Sequence, residues 1–533
     1  MQPEPGAGGV ESPATYVAEQ VSWRGARVIP SHTDALARDF SKALGGPIGR
    51  HAVIGRQRFL TPIRFILLVT LLFLALGWST KAGCVQQHIA KDGPDAGKLV
   101  LDWDGHRPFT AMCYSDIIPL YSAEKLDSYK QFPYLAHWYD NPNQPNQVLR
   151  YMEYPVLTGM YMYVSARITD VWLDSPLPAP LAVVAFFTVA ALGLALFWLL
   201  TVWATAILAG RRIWWAMLAA ASPLVMVHAF TNFDAIATAM LALAMLFWAK
   251  KNPWLTGVFI GLGVATKMYP GFLLLVLLVL CLRSGKMRDF GITVLTTVAT
   301  WLAVNLPFMV IAPRGWWEFI AHNTQRGPDP DTLYNALSVF GGVDWGADKY
   351  GQSNLVNWLS LGAFVAVCIG IAFIGLTAPT RPRIAQLMFL VVAGFLITNK
   401  VWSPQYSLWL VPLAVLAIPH TRILLTWMAI DAFVWVPRMG MYLGIENKGL
   451  PAEWFMAAVL LRDLVVLALC ALVIYQIYRP AQDLVRGGGL SPDDDPIGGV
   501  LDHAPDVYRP AWRLRSDALQ QPVPANGPVV VDH

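Results

Sequence analysis

The feature that most constrains this chain is a series of apolar runs, each long enough to cross a lipid bilayer, that recurs between residues 59 and 478. A transmembrane helix needs about 20 mainly apolar residues. Of the 533 residues, 56% are hydrophobic and 14% are charged. Soluble proteins carry about 25% charged residues, and a soluble core cannot absorb so much apolar sequence. The pattern therefore predicts an all-α polytopic integral membrane protein.

Composition divides the chain into three regions. Residues 1–58 and 479–533 are rich in proline, glycine and charge without lasting apolar periodicity, which predicts two disordered cytoplasmic tails. Residues 59–478 form one membrane domain, whose first helix lies too far from the start of the chain for a cleavable signal peptide. We predict about twelve spans, near residues 59–78, 180–209, 213–230, 233–249, 254–267, 270–282, 289–312, 354–377, 384–399, 405–420, 422–442 and 454–478.

Basic residues predict how these spans are oriented, because lysine and arginine concentrate in cytoplasmic loops. They occur at every second turn, at Arg56, Arg58, Arg64, Arg211, Arg212, Lys250, Lys251, Arg283, Lys286, Arg288, Arg381, Arg383, Arg422 and Arg479. The apolar segment 154–173 would break this alternation as a span, so we predict a juxtamembrane helix on the outer surface. Two large extracytoplasmic loops result, at about 79–179 and 313–353. The expected location is the plasma membrane.

Other composition features limit the partners. The net charge of +4 is small for this length, which argues against a nucleic-acid partner. Phosphate-loop, Rossmann and zinc-ligand patterns are not evident, so we expect no metal and no cofactor. Cys84 and Cys113 share the first outer loop. A disulfide between them is expected if that loop faces an oxidising compartment.

Polar residues converge on the extracytoplasmic side in this topology. Asp116 lies in the first outer loop, while Asn232 and Asp234 lie at a later outer turn. A carboxylate beside an attacking hydroxyl can accept its proton as a general base. The alternative for a loop aspartate is a solvated charge or a turn cap. Asp234 also opens a helix, where the helix dipole favours a carboxylate.

Two lysines, Lys267 and Lys400, lie at outer turns, against the positive-inside trend. They indicate an anionic partner such as a lipid-linked phosphate. The alternative is that each side chain snorkels to the lipid headgroups.

The second outer loop mixes aromatic, amide and basic residues, namely Trp316, Trp317, His322, Asn323, Gln325, Arg326, Tyr334 and Asn335. Aromatic rings stack on sugars, while amides and arginine bind hydroxyls or phosphate, so the mixture suits a glycan or glycolipid. An interfacial tryptophan belt would contain the same Trp316 and Trp317. Charges within late helices, at Asp431, Arg462 and Asp463, predict structural ion pairing.

Five short sequences occur in a characteristic order: Tyr114-Ser-Asp-Ile with Tyr121, Glu153-Tyr-Pro, Asn232-Phe-Asp, Gly263-Val-Ala-Thr-Lys-Met-Tyr-Pro, and Asn399-Lys-Val-Trp-Ser-Pro-Gln-Tyr. In this order they resemble glycosyltransferase family 87, polytopic actinobacterial enzymes of the GT-C fold that use polyprenyl-phosphate sugars. The resemblance covers most of the membrane domain. The sequence departs from the family at Glu153-Tyr-Pro-Val, where a second proline is common.

The resemblance implies an inverting, metal-independent glycosyltransferase that moves a sugar from a polyprenyl phosphate to a lipid-linked or cell-envelope glycan. Mannose is the first expectation and arabinofuranose the alternative. Asp116 is implied as the catalytic base, and Lys267, Lys400 and Tyr269 lie near the donor's phosphate or lipid. The substrate-binding candidates are Asn232, Asp234, Tyr154, Arg326, Gln405 and Tyr406.

Two other classes of function remain open at this point. A flippase for lipid-linked sugars would also combine many helices with basic and aromatic outer residues. Its polar residues would be expected near the membrane midplane, and an internal repeat is not evident. A non-catalytic assembly partner of other envelope enzymes is the third class.

Overall fold

The computed structural model describes residues 61–94, 96–128, 131–140, 148–346, 353–486 and 495–508. These residues are mainly helical. The α-helices are α1 Pro62–Lys81, α2 Arg107–Thr110, α3 Ile117–Ala123, α4 Val156–Leu173, α5 Ala182–Leu208, α6 Met217–Ala220, α7 Pro223–His228, α8 Asp234–Ala249, α9 Pro253–Val264, α10 Phe272–Ser284, α11 Met287–Ile311, α12 Pro313–Gln325, α13 Leu333–Gly341, α14 Asn354–Thr377, α15 Ile384–Thr398, α16 Ser407–Ala417, α17 Thr421–Phe433, α18 Trp435–Leu443 and α19 Ala452–Tyr478.

Two small antiparallel hairpins lie in the first large loop. One pairs β1 Gln87–Ile89 with β2 Leu99–Leu101, and the other pairs β3 Trp138–Asp140 with β4 Val148–Arg150. In the same loop a disulfide joins Cys84 to Cys113. Since Cys84 directly follows α1, this bond holds the segment before Asp116 to the end of that helix.

Six helical segments of the described residues are long and apolar enough to cross a membrane. They are Pro62–Val85, Ala182–Leu208, Met287–Ile311, Asn354–Thr377, Thr421–Leu443 and Ala452–Tyr478. Shorter apolar helices cover Asp234–Ala249, Pro253–Val264, Tyr269–Ser284, Ile384–Thr398 and Pro404–Ala417. These helices support the prediction of an all-α membrane protein. The predicted number of about twelve spans is not confirmed.

One predicted span is not a continuous helix. The segment predicted near 213–230 consists of a 3₁₀ turn, Gly210–Ala216, followed by α6 and α7. The break before α7 has a local cause, because Ser222 accepts a hydrogen bond from the backbone of Leu224 and Pro223 begins the new helix. Proline lacks the N–H that would continue the preceding helix.

The centre of the bundle is α8, which is buried on almost every side. This fits its composition, because a helix that is apolar all round belongs inside a bundle. On α9, glycines allow close approach to α11: a Cβ added to Gly261 would lie 2.7 Å from the Thr297 carbonyl oxygen. Small residues bring helices together in this way in membrane proteins. The segment 154–173 is helical as α4, and the Tyr161 hydroxyl ties it to α5 by donating to the Ala190 carbonyl at 2.6 Å.

The C-terminal region differs from the sequence prediction. Residues 479–486 and 495–508, assigned to a disordered tail, are ordered and packed against the bundle. Asp483 is fully buried and pairs with Arg383 at 2.8 Å, while Asp506 pairs with both Arg283 and Arg381. The prediction was wrong here because the charge of the segment was taken as a sign of solvation, whereas it is matched by helix-end arginines. Residues 1–60 and 509–533 lie outside the described residues.

These contacts also show that the two ends of the bundle differ. The Trp248 indole, near the end of α8, donates to the Gly498 carbonyl at 2.9 Å. Asp234 begins the same helix of 16 residues, which spans about 24 Å at 1.5 Å per residue. Arg212, Arg283, Arg381 and Arg383 therefore share one end with the C-terminal segment, and Asp234 lies at the other.

We expect Asp506→Asn to lower stability by about 2 kcal/mol, the range for a charge-assisted hydrogen bond. The reason is that two arginines would lose their carboxylate partner in a nearly buried site, where the Asp506 side chain is 8% exposed. Thermal unfolding of the purified protein in detergent should show a midpoint several degrees lower. Asp174→Asn removes an exposed carboxylate and is the control. Equal midpoints for the two variants would contradict a stabilising role for the segment.

Candidate functional site

A cavity of about 260 Å³ opens at the Asp234 end of the bundle. It forms where the segment between α2 and α4 meets the turns that precede α8, α10 and α16, with α12 along one side. Its polar lining residues are Tyr114, Asp116, Glu153, Tyr154, Asn232, Lys267, His322, Asn323, Arg326, Ser403, Gln405 and Tyr406. We call this space the Asp116 cavity. Six of the residues predicted from the sequence for catalysis or substrate binding, together with Lys267, line it.

The backbone around Asp116 is held from several directions. Its N–H donates to the Thr231 carbonyl at 2.8 Å, and the Ser115 hydroxyl donates to the Phe230 carbonyl at 2.7 Å. At the end of α1, the Lys81 ammonium donates to the Tyr114 carbonyl at 2.9 Å. The carboxylate thus sits on a rigid support at the start of α3, as a catalytic group requires.

The Asp116 carboxylate accepts hydrogen bonds from two amides that are distant in sequence. Asn232 Nδ2 lies 2.9 Å from Asp116 Oδ2, and Gln405 Nε2 lies 3.4 Å from the same oxygen. Burial and the nearby Asp116 charge raise the pKa of Tyr114, so its phenol stays protonated beside the carboxylate. The two amide donors fix the rotamer of the Asp116 carboxylate. Asn232 and Gln405, predicted as substrate-binding residues, therefore also orient Asp116.

Tyr154 completes this side of the cavity. Its hydroxyl lies 3.2 Å from Asn232 Nδ2, so Asn232 bridges Tyr154 and Asp116. Burial raises the pKa of Tyr154 well above its usual value, and the charges of Glu153 and Asp116 raise it further. The phenol therefore stays protonated and can donate a hydrogen bond to a substrate oxygen.

Lys267 faces Asp116 across the cavity and forms a buried ion pair. Its ammonium lies 2.6 Å from Asp234 Oδ1, which also accepts a hydrogen bond from the Trp409 indole at 2.8 Å. The ammonium lies 4.2 Å from the centre of the Tyr406 ring. Burial lowers the pKa of Lys267, but the Asp234 charge outweighs burial and the net shift is upward. Asp234, a substrate-binding candidate from the sequence, does not line the cavity and instead keeps Lys267 charged and directed at it.

Tyr269 lies behind this pair. Its ring stacks on Trp409 with 4.1 Å between centroids, and its hydroxyl donates to Thr238 Oγ1 at 3.1 Å. The side chain is 1% exposed and does not line the cavity. Tyr269, predicted to lie near the donor's phosphate or lipid, therefore does not line the cavity, because its ring packs inward against Trp409.

Helix α12 and the residue that follows it supply the opposite wall of the cavity. His322 Nε2 on α12 lies 3.4 Å from Glu153 Oε2, which joins this wall to the first loop. Arg326, at the end of α12, pairs with Asp329 at 2.6 Å. Trp316 instead packs inward and donates to Asn305 Oδ1 at 3.0 Å. Neither Trp316 nor Trp317 lines the cavity, so this pair does not offer its rings to a sugar there.

Lys400, predicted to lie near the donor's phosphate, does not line the cavity. Its ammonium donates to the Arg326 carbonyl at 2.5 Å and approaches the Thr324 carbonyl at 3.5 Å. The physical reason is that the free carbonyls at the end of α12 attract a cation.

Two residues near the site were missed from the sequence. Lys81 was assigned to a loop, because the first helix was predicted to end at residue 78 rather than at Lys81. Trp409, which bonds Asp234, follows Tyr406 by three positions at the start of α16, and helical spacing was the available signal. The predicted pairing in the late helices is seen, with Arg462 and Asp463 2.9 Å apart.

A separate cluster in the first loop has the composition of a metal site. His88, Asp102 and Asp104 place one ligand atom each within 4.8 Å of the others. Arg107 already pairs with Asp102 at 2.5 Å, and Asp104 is largely exposed. None of the three lines the Asp116 cavity. The expectation of a metal-independent reaction remains a prediction.

Comparison with known proteins adds one match. The model of a family described as Glycosyltransferase family 87 matches residues 155–399. No curated protein matches the chain. The matched residues include Asn232, Asp234, Lys267 and Arg326, whereas Asp116 lies before them. The resemblance found from the short motifs is therefore confirmed, and it indicates a membrane glycosyltransferase of the GT-C type.

Proposed function

We propose that this membrane glycosyltransferase moves a sugar, mannose first among the candidates, from a polyprenyl-phosphate donor to a hydroxyl of a lipid-linked or cell-envelope glycan. The observation that carries the proposal is the arrangement of the Asp116 cavity, where one oriented carboxylate and one paired lysine face the same small space. A carboxylate suits the acceptor hydroxyl, and a lysine suits the donor phosphate. The reaction would take place on the extracytoplasmic side.

In the proposed reaction, the acceptor oxygen attacks the anomeric carbon and its proton passes to Asp116. The new glycosidic bond forms while the bond between the anomeric carbon and the phosphate oxygen breaks. Polyprenyl phosphate leaves with the electron pair, and the sugar carbon is inverted. Positioned proton transfer of this kind contributes about a hundredfold to ten-thousandfold to rate.

Lys267 and Arg326 would stabilise the departing phosphate. Each has a carboxylate partner, but an ammonium has three N–H donors and a guanidinium has five, so donors remain for phosphate oxygens. Positive groups placed where negative charge develops lower the barrier to reaction. Their pairing with Asp234 and Asp329 holds them in place without a bound substrate.

The direct test is to incubate the purified protein with polyprenyl-phosphate mannose and, separately, with polyprenyl-phosphate arabinofuranose, adding envelope glycolipids as acceptors. Consumption of one donor with appearance of free polyprenyl phosphate and an extended glycan is expected. Movement of the intact donor across the proteoliposome membrane with no glycan product would show that the protein is a transporter and not an enzyme. Consumption of the arabinose donor alone would keep the reaction class and change the sugar.

A further inference from the structure

Lys400 is buried in a contact that the proposed reaction does not use. The side chain is 8% exposed, and its ammonium is directed to the carbonyls of Arg326 and Thr324 at the end of α12. A charged group is not buried without a partner, because its desolvation is unfavourable. The ammonium therefore fixes the backbone at the end of α12, where these two carbonyls lie.

Three contacts join the Lys400 loop to the Arg326 loop. In addition to the ammonium contact, the Lys400 carbonyl accepts from the Asp329 N–H at 2.8 Å, and the Ser403 hydroxyl donates to Asp329 Oδ2 at 3.2 Å. Asp329 in turn holds the Arg326 guanidinium through its other oxygen, at 2.6 Å from Nη2 and 3.0 Å from Nε. The Lys400 loop thus contacts the backbone of Arg326 directly, and it holds Asp329, which in turn pairs with the Arg326 side chain.

Arg326 is the charged member of this group that reaches the substrate space, and Ser403 lines it too. Arg326 lines the Asp116 cavity, whereas Lys400 and Asp329 lie behind it. We propose that Lys400 is a positioning residue, which holds the backbone of Arg326 so that its guanidinium binds the donor's phosphate. This inference rests on the proposed function, since it requires a phosphate-bearing donor in the cavity.

A double-variant cycle tests it through donor kinetics. Lys400→Met and Arg326→Gln should each raise the KM for the donor by about tenfold, the effect of losing one charge-assisted contact. Each should also lower kcat, because Arg326 contacts the phosphate both in the bound donor and as it departs. Because Lys400 acts through Arg326, the double variant should be little worse than either single variant. Independent phosphate contacts would instead multiply to about a hundredfold, and that result would overturn the inference.

Lys400→Arg is the matched control, because arginine keeps the charge and the donors to the two carbonyls. Recovery of most donor affinity in this variant is expected. Hydrogen exchange of the amides in 324–330 should quicken in Lys400→Met and return towards the native rate in Lys400→Arg. Unchanged exchange in Lys400→Met would contradict the proposed hold on the backbone.

The wild-type protein provides a test that needs no variant. Burial and the adjacent Arg326 charge lower the pKa of Lys400 to about 8, with Asp329 acting in the opposite direction. Arg326 and Asp329 are the charged groups facing it among the described residues. The positive charge is present below this pKa and lost above it, so the donor KM should rise between about pH 7 and about pH 9 while Lys400→Arg stays level. If the donor KM of the two proteins changed with pH in the same way, Lys400 would not have this role.

Binding of a short-chain prenyl phosphate to the purified protein separates this inference from the proposed function. A wild-type protein that binds no prenyl phosphate would overturn both. Binding by the wild type, combined with multiplicative effects of the two substitutions, would overturn the positioning role alone. Weakened binding in both single variants, with no further weakening in the double variant, supports both.

Discussion

Asp116→Asn should lower the transferase rate by about a hundredfold to ten-thousandfold, the usual contribution of a positioned general base. The amide has nearly the shape of the carboxylate, so it keeps its place between Asn232 and Gln405 but cannot take the acceptor's proton. The measurement is the initial rate of polyprenyl-phosphate release, with kcat and both KM values determined. We expect the loss in kcat, since binding of the donor depends on other residues.

The control for this variant is Asp127→Asn, which removes an exposed carboxylate from the same loop. It should keep the wild-type rate, and both proteins should show the same elution profile in detergent. A fully active Asp116→Asn protein would refute the assignment of the base. A loss of rate accompanied by a lower unfolding temperature would instead point to a structural role for Asp116.

Lys267→Met should reduce both stability and turnover, because it leaves the buried Asp234 carboxylate without its ionic partner. The Asp234 side chain is 1% exposed and the Lys267 side chain 15% exposed. Breaking a buried ion pair by removing one partner costs about 3 kcal/mol or more. Donor affinity should fall in the same variant, as expected for a lysine that contacts the phosphate.

The double variant Lys267→Met with Asp234→Asn separates these two effects. It contains neither charge, and neutral replacements of a buried pair are often close to neutral in stability. The unfolding temperature should therefore recover while the rate stays low. Recovery of both would show that the pair has only a structural function. Lys250→Met, at an exposed lysine of the opposite bundle end, is the matched control and should change neither quantity.

The sequence could single out residues that line the Asp116 cavity because their types are unusual where they occur. Asp116, Asn232, Lys267 and Gln405 are polar residues beside apolar segments. A polar or charged group is costly there and usually has a functional or structural partner. The topology predicted from the basic residues placed all four on one side of the membrane domain. The cavity that they line is consistent with that placement, although Gln405 lies 289 residues from Asp116.

The C-terminal segment could not be predicted in the same way. Its carboxylates resemble those of a solvated tail, and the arginines that they neutralise look like orientation signals. Whether an acidic residue meets water or an arginine depends on contacts such as that of Asp483 with Arg383, 100 residues away. A short sequence pattern cannot indicate a pairing between residues so far apart in the chain.

The sequence by itself determined the class of the chain, the helical bundle and the residues that merit a chemical role, since hydropathy and residue type are local properties. Only the tertiary structure decided which charges meet. It paired Lys267 with Asp234, directed Lys400 to the end of α12 and brought Arg326 to the cavity instead. The reason is that a charge interacts with whatever lies within a few ångströms of it, and the folded chain sets those distances between residues far apart in sequence.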